Sequence, residues 1–226
     1  MVIVAQRAMV VVNEIVALGG QAAANTDSVS DAAGAARIIQ TAIDSFGRID
    51  VVVNNAGILR DKSFGKGSLE DFKLVLDVHL MGSVNCTKAV WEIMREQNYG
   101  RIVVTTSSSG LYGNFGQANY GSAKMGVIGM MNTLAQEGAK NNVKVNALAP
   151  TAGTRMTEGL IPDQAFALMT PETVTPAVLY LVSQDAPTRV ILAAGAGGYA
   201  VAKIVETDGI YLDDADQTPE AIAEHW

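Results

Sequence analysis

The residues Asp50-Val51-Val52-Val53-Asn54-Asn55-Ala56-Gly57 decide the fold of this chain. Apolar β-branched residues that run directly into turn-forming residues are typical of a buried strand that ends in a loop. With Ile49 in front of it, the run predicts a strand over 49–53. Near-continuous apolar strands belong to parallel sheets, in which a helix usually connects one strand to the next.

Two more segments have the same strand-like character, 101–106 and 143–148. Apolar residues at helical spacing predict three helices around them, at 31–46, 68–97 and 119–141. Ser68, followed three residues later by Asp71, is the capping-box start of the second helix. This alternation predicts an α/β fold with a doubly wound, Rossmann-type parallel sheet.

Beyond Gly195 the pattern changes. Tyr199–Val205 and Ile210–Leu212 flank the turn residues 206–209, which predicts a hairpin, and Thr218 with Pro219 predicts the start of a last short helix. We therefore expect a single domain over 1–226, with 195–226 as a C-terminal extension.

Composition narrows the class of protein. The chain has 226 residues, 49% of them hydrophobic, which is enough for one well-buried core. A net charge of −7 argues against a nucleic-acid partner. No apolar stretch reaches the ~18 residues of a membrane span. The single cysteine, Cys86, excludes an internal disulfide and fits a reducing compartment. We expect a cytoplasmic protein with no membrane partner and no bound metal.

Tyr120 and Lys124 are the first candidate for chemistry, because residues four apart share one face of a helix. An ammonium beside a phenol lowers the phenol's pKa from about 10, which suits a general acid/base. The alternative is a surface helix with an unremarkable pair. The strand at 101–106 runs into Ser107, whose hydroxyl could bond a reacting carbonyl oxygen, whereas Ser108 and Ser109 are interpreted as turn residues.

Together these segments resemble the short-chain dehydrogenase/reductase family over about residues 9–190. The resemblance implies that Tyr120 exchanges a proton with the substrate, that Ser107 steadies the substrate oxygen, and that Lys124 binds the nicotinamide ribose. It also implies a nicotinamide dinucleotide, NAD in preference to NADP. Besides Tyr120 and Lys124, the implied cofactor-binding residues are Asp27, Asn54, Asn55, Ala56, Gly57, Pro150 and Thr154. For Asp27 a solvated turn is the alternative.

His79 stands where this family places an asparagine that anchors a water in a proton relay. A neutral imidazole can also relay protons, so the resemblance makes His79 a candidate catalytic residue. For a histidine flanked by Val78 and Leu80, a packed helix position is the alternative.

Residues 60–64, 78–83 and 110–120 resemble, more particularly, the dehydrogenase unit of peroxisomal multifunctional enzymes and its bacterial relatives. The resemblance implies a small-molecule substrate, a 3-hydroxyacyl-CoA or alternatively a hydroxysteroid, and a homodimer or homotetramer. Candidate lid residues are Met156, Leu160, Ile161, Phe166, Leu168 and Met169. Candidate CoA-binding residues are Arg60, Lys62, Lys66 and Arg155.

The first thirteen residues, MVIVAQRAMVVVN, contain two valine-rich runs that are interpreted as strands. Only residues 5–8 separate the two runs, and only residues 14–20 would link the second run to a possible strand at 21–26. Both links are shorter than the dozen or so residues that a crossover between parallel strands needs. The glycine-rich pyrophosphate loop of the family is absent here. A βαβ unit needs about 30 residues, so we expect either further residues in the natural polypeptide or a deletion that leaves a non-catalytic scaffold.

Overall fold

The computed structural model describes residues 2–154 and 162–225. A five-stranded sheet forms the centre, with its strands in sequence order across the sheet. The strands are β1 (Val51–Asn54), β2 (Gly100–Thr105), β3 (Val143–Pro150), β4 (Ile191–Gly195) and β5 (Gly198–Ala202). The first four are parallel and β5 is antiparallel to β4. The predicted doubly wound α/β fold is confirmed.

Helices cover both faces of the sheet. Their bounds are α1 Val2–Ala17, α2 Ala32–Phe46, α3 Leu69–Leu76, α4 Gly82–Gln97, α5 Ser108–Tyr112, α6 Ala118–Glu137, α7 Asp163–Phe166, α8 Thr175–Val182 and α9 Pro219–His225. Between α3 and α4, residues Asp77–Met81 form one π-helical turn inside the predicted 68–97 helix. None of the described helices is long and apolar enough to cross a membrane.

The core has one part on each face of the sheet. Val90, Met94 and Met131, from α4 and α6, pack with Ile102 and Val145 on one face. On the other face α8 packs against β2, β3 and β4 through Leu181 and its neighbours. This arrangement places the carboxyl ends of β1, β2 and β3 at one edge, where ligands bind in folds of this type.

The interpretation of the first residues as strands is wrong. Val2–Ala17 is one continuous helix, and 21–26 contains no strand. Valine has a high strand propensity, but a strand also needs a neighbour to pair with, and β1 pairs only with β2 in the described part of the chain. The argument from two shortened crossovers therefore no longer holds, because no strand precedes β1 among residues 2–50.

The predicted C-terminal hairpin is misplaced. The hairpin joins β4 to β5 through Ala196 and Gly197, whose φ angles of 49° and 76° are both positive. Such a turn matches the twist of an antiparallel pair. Residues 203–213 contain no strand. The last helix is confirmed, and Thr218 Oγ1 accepts a hydrogen bond from the amide of Ala221 at 3.2 Å.

Candidate active site

The end of β2 carries the serine and is joined to α6. Ser107 caps the short helix α5, accepting a hydrogen bond from the Ser109 amide at 3.2 Å. Its neighbour Thr106 donates from Oγ1 to the backbone carbonyl of Lys124 at 2.6 Å. This bond fixes α6, which carries Tyr120 and Lys124, against the carboxyl end of the strand.

Lys124 is buried, with 3% of the residue exposed. Its Nζ donates to the backbone carbonyl of Thr105 at 2.6 Å. Burial lowers the pKa of this ammonium from 10.5 to about 8. The side chain can therefore lose its charge within the range in which dehydrogenases are commonly assayed.

Tyr120 is half-buried, and its hydroxyl is close enough to that of Ser107 for Ser107 to influence its pKa. Burial raises the pKa of the phenol, the Ser107 hydroxyl opposes the increase, and Asp61 adds to it. The ammonium of Lys124 lies 5.5 Å from the centre of the ring. The sequence led us to expect that Lys124 lowers the phenol's pKa, whereas the pKa is raised because burial is the main influence on it. The phenol is held protonated at neutral pH.

The loop after β1 is tied to its surroundings through both asparagines. Asn54 donates from Nδ2 to Thr87 Oγ1 on α4 at 3.0 Å. Thr105 Oγ1, on β2, donates to Asn55 Oδ1 at 3.0 Å. Asn55, Ala56 and Gly57 are themselves exposed at this edge of the sheet. The loop is thus a fixed, accessible border of the site.

His79 lies on the π-helical turn, beneath this loop, and only 3% of it is exposed. Its Nε2 lies 2.7 Å from the carbonyl oxygen and 3.0 Å from the amide nitrogen of Ile58. The imidazole meets the Tyr120 ring edge to face, with centroids 5.1 Å apart. Burial and the charge of Lys124 lower its pKa from 6.5 to about 4. His79 is therefore a neutral imidazole in contact with the Tyr120 ring.

Two residues of the site were missed by the sequence reasoning. Asn119 is buried and accepts a hydrogen bond from the Tyr120 amide at 2.7 Å, while its Nδ2 donates to the carbonyl of Arg60 at 3.0 Å. Gln117 donates to Asp61 at 2.7 Å. Both fix the 58–62 loop to the start of α6. An asparagine at a helix start was the available signal.

Asp27 lies apart from this group. It accepts two hydrogen bonds from the guanidinium of Arg37 on α2, at 2.9 and 2.6 Å, and this pairing holds its pKa below the usual value. Pro150 and Thr154 follow at and after the end of β3. Among the candidate CoA-binding residues, Arg60 and Lys62 each pair with Asp71, at 3.6 and 3.7 Å.

Of the candidate lid residues, Phe166, Leu168 and Met169 are described and the remaining three are not; Arg155 is also outside the described residues. The amide of Gly153 donates to the carbonyl of Met169, which brings 166–169 back to the end of β3. Leu168 is exposed.

A nicotinamide dinucleotide fits these residues at one end. Two hydroxyls and an ammonium, on Ser107, Tyr120 and Lys124, suit a carbonyl or alcohol oxygen and a ribose. An apolar cleft of about 260 Å³ beside β1, between α2 and α4, continues from Asn54 and Asn55. For the pyrophosphate the fit fails over residues 2–50, which contain no strand and therefore no strand-to-helix glycine loop. The described residues contain no cluster of metal ligands.

Comparison with known proteins adds the following. The family described as short chain dehydrogenase matches residues 1–165. Peroxisomal multifunctional enzyme A of Dictyostelium discoideum is 48% identical over 217 residues, covering 96% of this chain and 48% of that protein. An acetoacetyl-CoA reductase of Acinetobacter is 46% identical over 158 residues, covering 65% of this chain and 63% of that protein.

Among solved structures, the full-length peroxisomal multifunctional enzyme type 2 of Drosophila melanogaster aligns with a TM-score of 0.83 and 42% identity. The alignment covers 97% of this chain and 38% of that one. The chain thus spans about half the length, or less, of the multifunctional proteins it matches.

Proposed function

This chain belongs to the short-chain dehydrogenase family, and we propose from that premise that it interconverts a secondary alcohol and a ketone. The observation that carries the proposal is the position of Tyr120 beside Ser107 and Lys124 at the carboxyl end of the sheet, with the Lys124 ammonium 5.5 Å from the centre of its ring. A proton donor and a second hydroxyl that converge on one point match the needs of a carbonyl oxygen whose charge changes during reaction.

The nicotinamide group, when bound, supplies or accepts the hydride. The residues of this chain transfer the proton. In reduction the Tyr120 hydroxyl donates its proton to the substrate oxygen, while the Ser107 hydroxyl holds that oxygen in place. In oxidation the same phenol must first lose its proton, and its raised pKa makes that loss less favourable at neutral pH. The Lys124 ammonium, 5.5 Å from the centre of the ring, is the group that would hold the ribose.

The proposed substrate is a 3-hydroxyacyl-CoA or its 3-oxo counterpart. The name of the acetoacetyl-CoA reductase that this chain resembles supports an acyl-CoA. The surface near the site supports it as well, because Phe64 and Phe115, on loops, and Tyr112, at the end of α5, are exposed aromatic side chains. An acyl chain gains free energy by covering such side chains.

The experiment is a paired assay of the purified protein. Acetoacetyl-CoA with NADH, and separately with NADPH, tests reduction; 3-hydroxybutyryl-CoA with the oxidised cofactors tests the reverse. A 17-ketosteroid is the matched substrate of the other class. Turnover of the CoA thioester with the steroid inert supports the proposal. Turnover of the steroid alone would assign a hydroxysteroid dehydrogenase. We propose NAD in preference to NADP as the cofactor, and the support for this choice is the resemblance of the sequence to the family.

A non-catalytic scaffold is the second candidate, since residues 2–50 lack the phosphate-binding loop. Titration of the protein with NADH, followed by nicotinamide fluorescence, separates the two candidates. Saturable binding favours the enzyme, and no binding by the natural full-length protein favours the scaffold.

Self-association through α4 and α6 is also part of the proposal. A surface groove of about 210 Å³ lies between these helices and is lined by Trp91, Met130 and Leu134. Light scattering should give the mass of a dimer or tetramer, and elution as a monomer at all concentrations would exclude self-association.

A cytoplasmic location is proposed from the sequence. Cell fractionation tests it against the peroxisomal location that the relatives' names state.

A further inference from the structure

We propose that His79 is a positioning residue that joins the 54–58 loop to the phenol of Tyr120, and that its imidazole excludes a side chain at Gly57. The proposal rests on the proposed function to the extent that Tyr120 is the residue being positioned. It assigns His79 a fixed structural contact in place of the proton-relay role that its sequence position implies.

The first observation is the contact between His79 and the loop. Nε2 is within hydrogen-bond distance of both backbone groups of Ile58, which lies 21 residues earlier in the chain. Ser83 Oγ in turn donates to the His79 carbonyl at 2.7 Å. The π-helical turn is therefore held from both sides, by the loop after β1 and by the first turn of α4.

The second observation concerns Gly57. Its φ angle is not among the positive ones in the chain, so its backbone conformation does not require glycine. A Cβ at this position would lie 2.3 Å from Cε1 of His79 and 3.0 Å from its Nδ1. Non-bonded carbon atoms settle at about 3.5–4.0 Å, so a methyl group and the imidazole cannot coexist without movement. The imidazole therefore leaves no room for a side chain at this position.

The third observation is the contact with Tyr120. The two rings are nearly perpendicular, at 88°, with the centroid separation of a favourable edge-to-face pair. Gly57, His79 and Tyr120 therefore form a continuous stack from the loop to the phenol. A shift of the imidazole away from Gly57 moves it against the Tyr120 ring, whose hydroxyl must stay near Ser107.

The chemistry of the imidazole agrees with a fixed contact. The ionisable groups that face it are Lys124 and Tyr120, and neither favours an imidazolium. Nδ1 is the one buried side-chain nitrogen or oxygen in the described residues that has no hydrogen-bond partner. A neutral imidazole has one N–H. The hydrogen-bond contact of the ring with the Ile58 backbone is made by Nε2, and Nδ1 takes no part in it.

The test is a double-mutant cycle with Gly57→Ala and His79→Ala, and Gly65→Ala as the control, because a Cβ at Gly65 meets nothing within 4 Å. The readout is the titration of Tyr120, followed by NMR of ¹³C-labelled tyrosine and assigned with Tyr120→Phe. We expect Gly57→Ala to move the Tyr120 pKa back toward its ordinary value, because the displaced imidazole pushes the Tyr120 ring outward and exposes its hydroxyl to water. We expect no change in Gly65→Ala.

In the His79→Ala background, adding Gly57→Ala should have little further effect, since the space is vacant. A Tyr120 titration in Gly57→Ala equal to wild type, or additive effects of the two changes, would overturn the proposal. If Gly57→Ala does not fold, the double variant must fold, as seen by circular dichroism; failure of both also overturns it. The readout needs no turnover, so an inactive protein with an intact cycle would refute the proposed function and leave this inference standing.

Discussion

Replacement of Lys124 by methionine tests the electrostatics of the site through the stability of the protein. The buried ammonium has a pKa of about 8 in the folded chain, against 10.5 for an unperturbed lysine. Between these pH values the unfolded chain holds a proton that the folded chain has released. The free energy of unfolding of the wild type must therefore rise with pH across this window.

The size of the effect follows from the pKa difference. At about 1.4 kcal/mol per pKa unit, the burial of the charge costs about 3 kcal/mol below pH 8, and none of this remains above pH 10.5. Methionine has a similar length and no charge, so this pH dependence should be absent in the variant. The lost hydrogen bond to the Thr105 carbonyl is an offset of about 1–3 kcal/mol that is the same at every pH.

The assay is urea unfolding of wild type and Lys124→Met at a series of pH values from about 7 to about 9.5, below the ordinary tyrosine pKa of about 10. The wild type should gain about 2 kcal/mol relative to the variant over this range. Lys140→Met, which removes an exposed lysine, is the control. A constant difference between wild type and Lys124→Met would refute the assigned burial cost.

Three further predictions concern the polar side chains of Arg101, Asn146 and Ser107. Arg101→Met should lower the free energy of unfolding by about 3–5 kcal/mol, because this buried guanidinium donates to four backbone carbonyls. The control Arg48→Met removes an exposed ion pair and should lower it by less than about 1 kcal/mol. Equal urea midpoints for the two variants would contradict this prediction. Asn146→Leu should cost about 2–4 kcal/mol, since its amide bonds a carbonyl and an amide of the loop before β4; an unchanged melting curve would exclude that role. Ser107→Ala should shift the alkaline limb of the pH–rate profile upward, because Ser107 lowers the pKa of Tyr120, and a shift downward would contradict that influence.

Local signals in the sequence were sufficient for most elements. The helix predicted over 31–46 is α2, capped by Asp31, which accepts from the Gly34 amide, and ended by Gly47 in the left-handed conformation. The predicted cap at Ser68 is confirmed by the hydrogen bond that it accepts from the Asp71 amide at 3.1 Å. Both signals act within four residues, so no knowledge of the tertiary structure was needed.

Elements that depend on distant partners were predicted poorly. The valines of residues 2–13 have strand propensity, but no neighbouring strand is present and the segment is a helix. The hairpin at 195–198 depends on a positive φ at Ala196, which an alanine rarely adopts. In both places the residue type favoured one structure and the tertiary context another.

The site shows the same division. The spacing of Tyr120 and Lys124 and the position of Ser107 after β2 put the three side chains in one place, as the sequence indicated. The raised pKa of the phenol was not predictable, because it depends on burial by residues far away in the sequence and on the charge of Asp61. The catalytic roles of these residues stay predictions until turnover is measured.

Turnover of acetoacetyl-CoA with NADH by Tyr120→Phe, measured beside wild type, tests the proposed reaction most directly. Tyr211→Phe is the matched control, since that phenol is 87% exposed and has no part in the proposed site. Loss of the Tyr120 hydroxyl should lower kcat by about 100-fold or more, with unchanged circular dichroism, while Tyr211→Phe retains wild-type turnover. A Tyr120→Phe variant with wild-type kcat would show that this phenol is not the group that exchanges the proton.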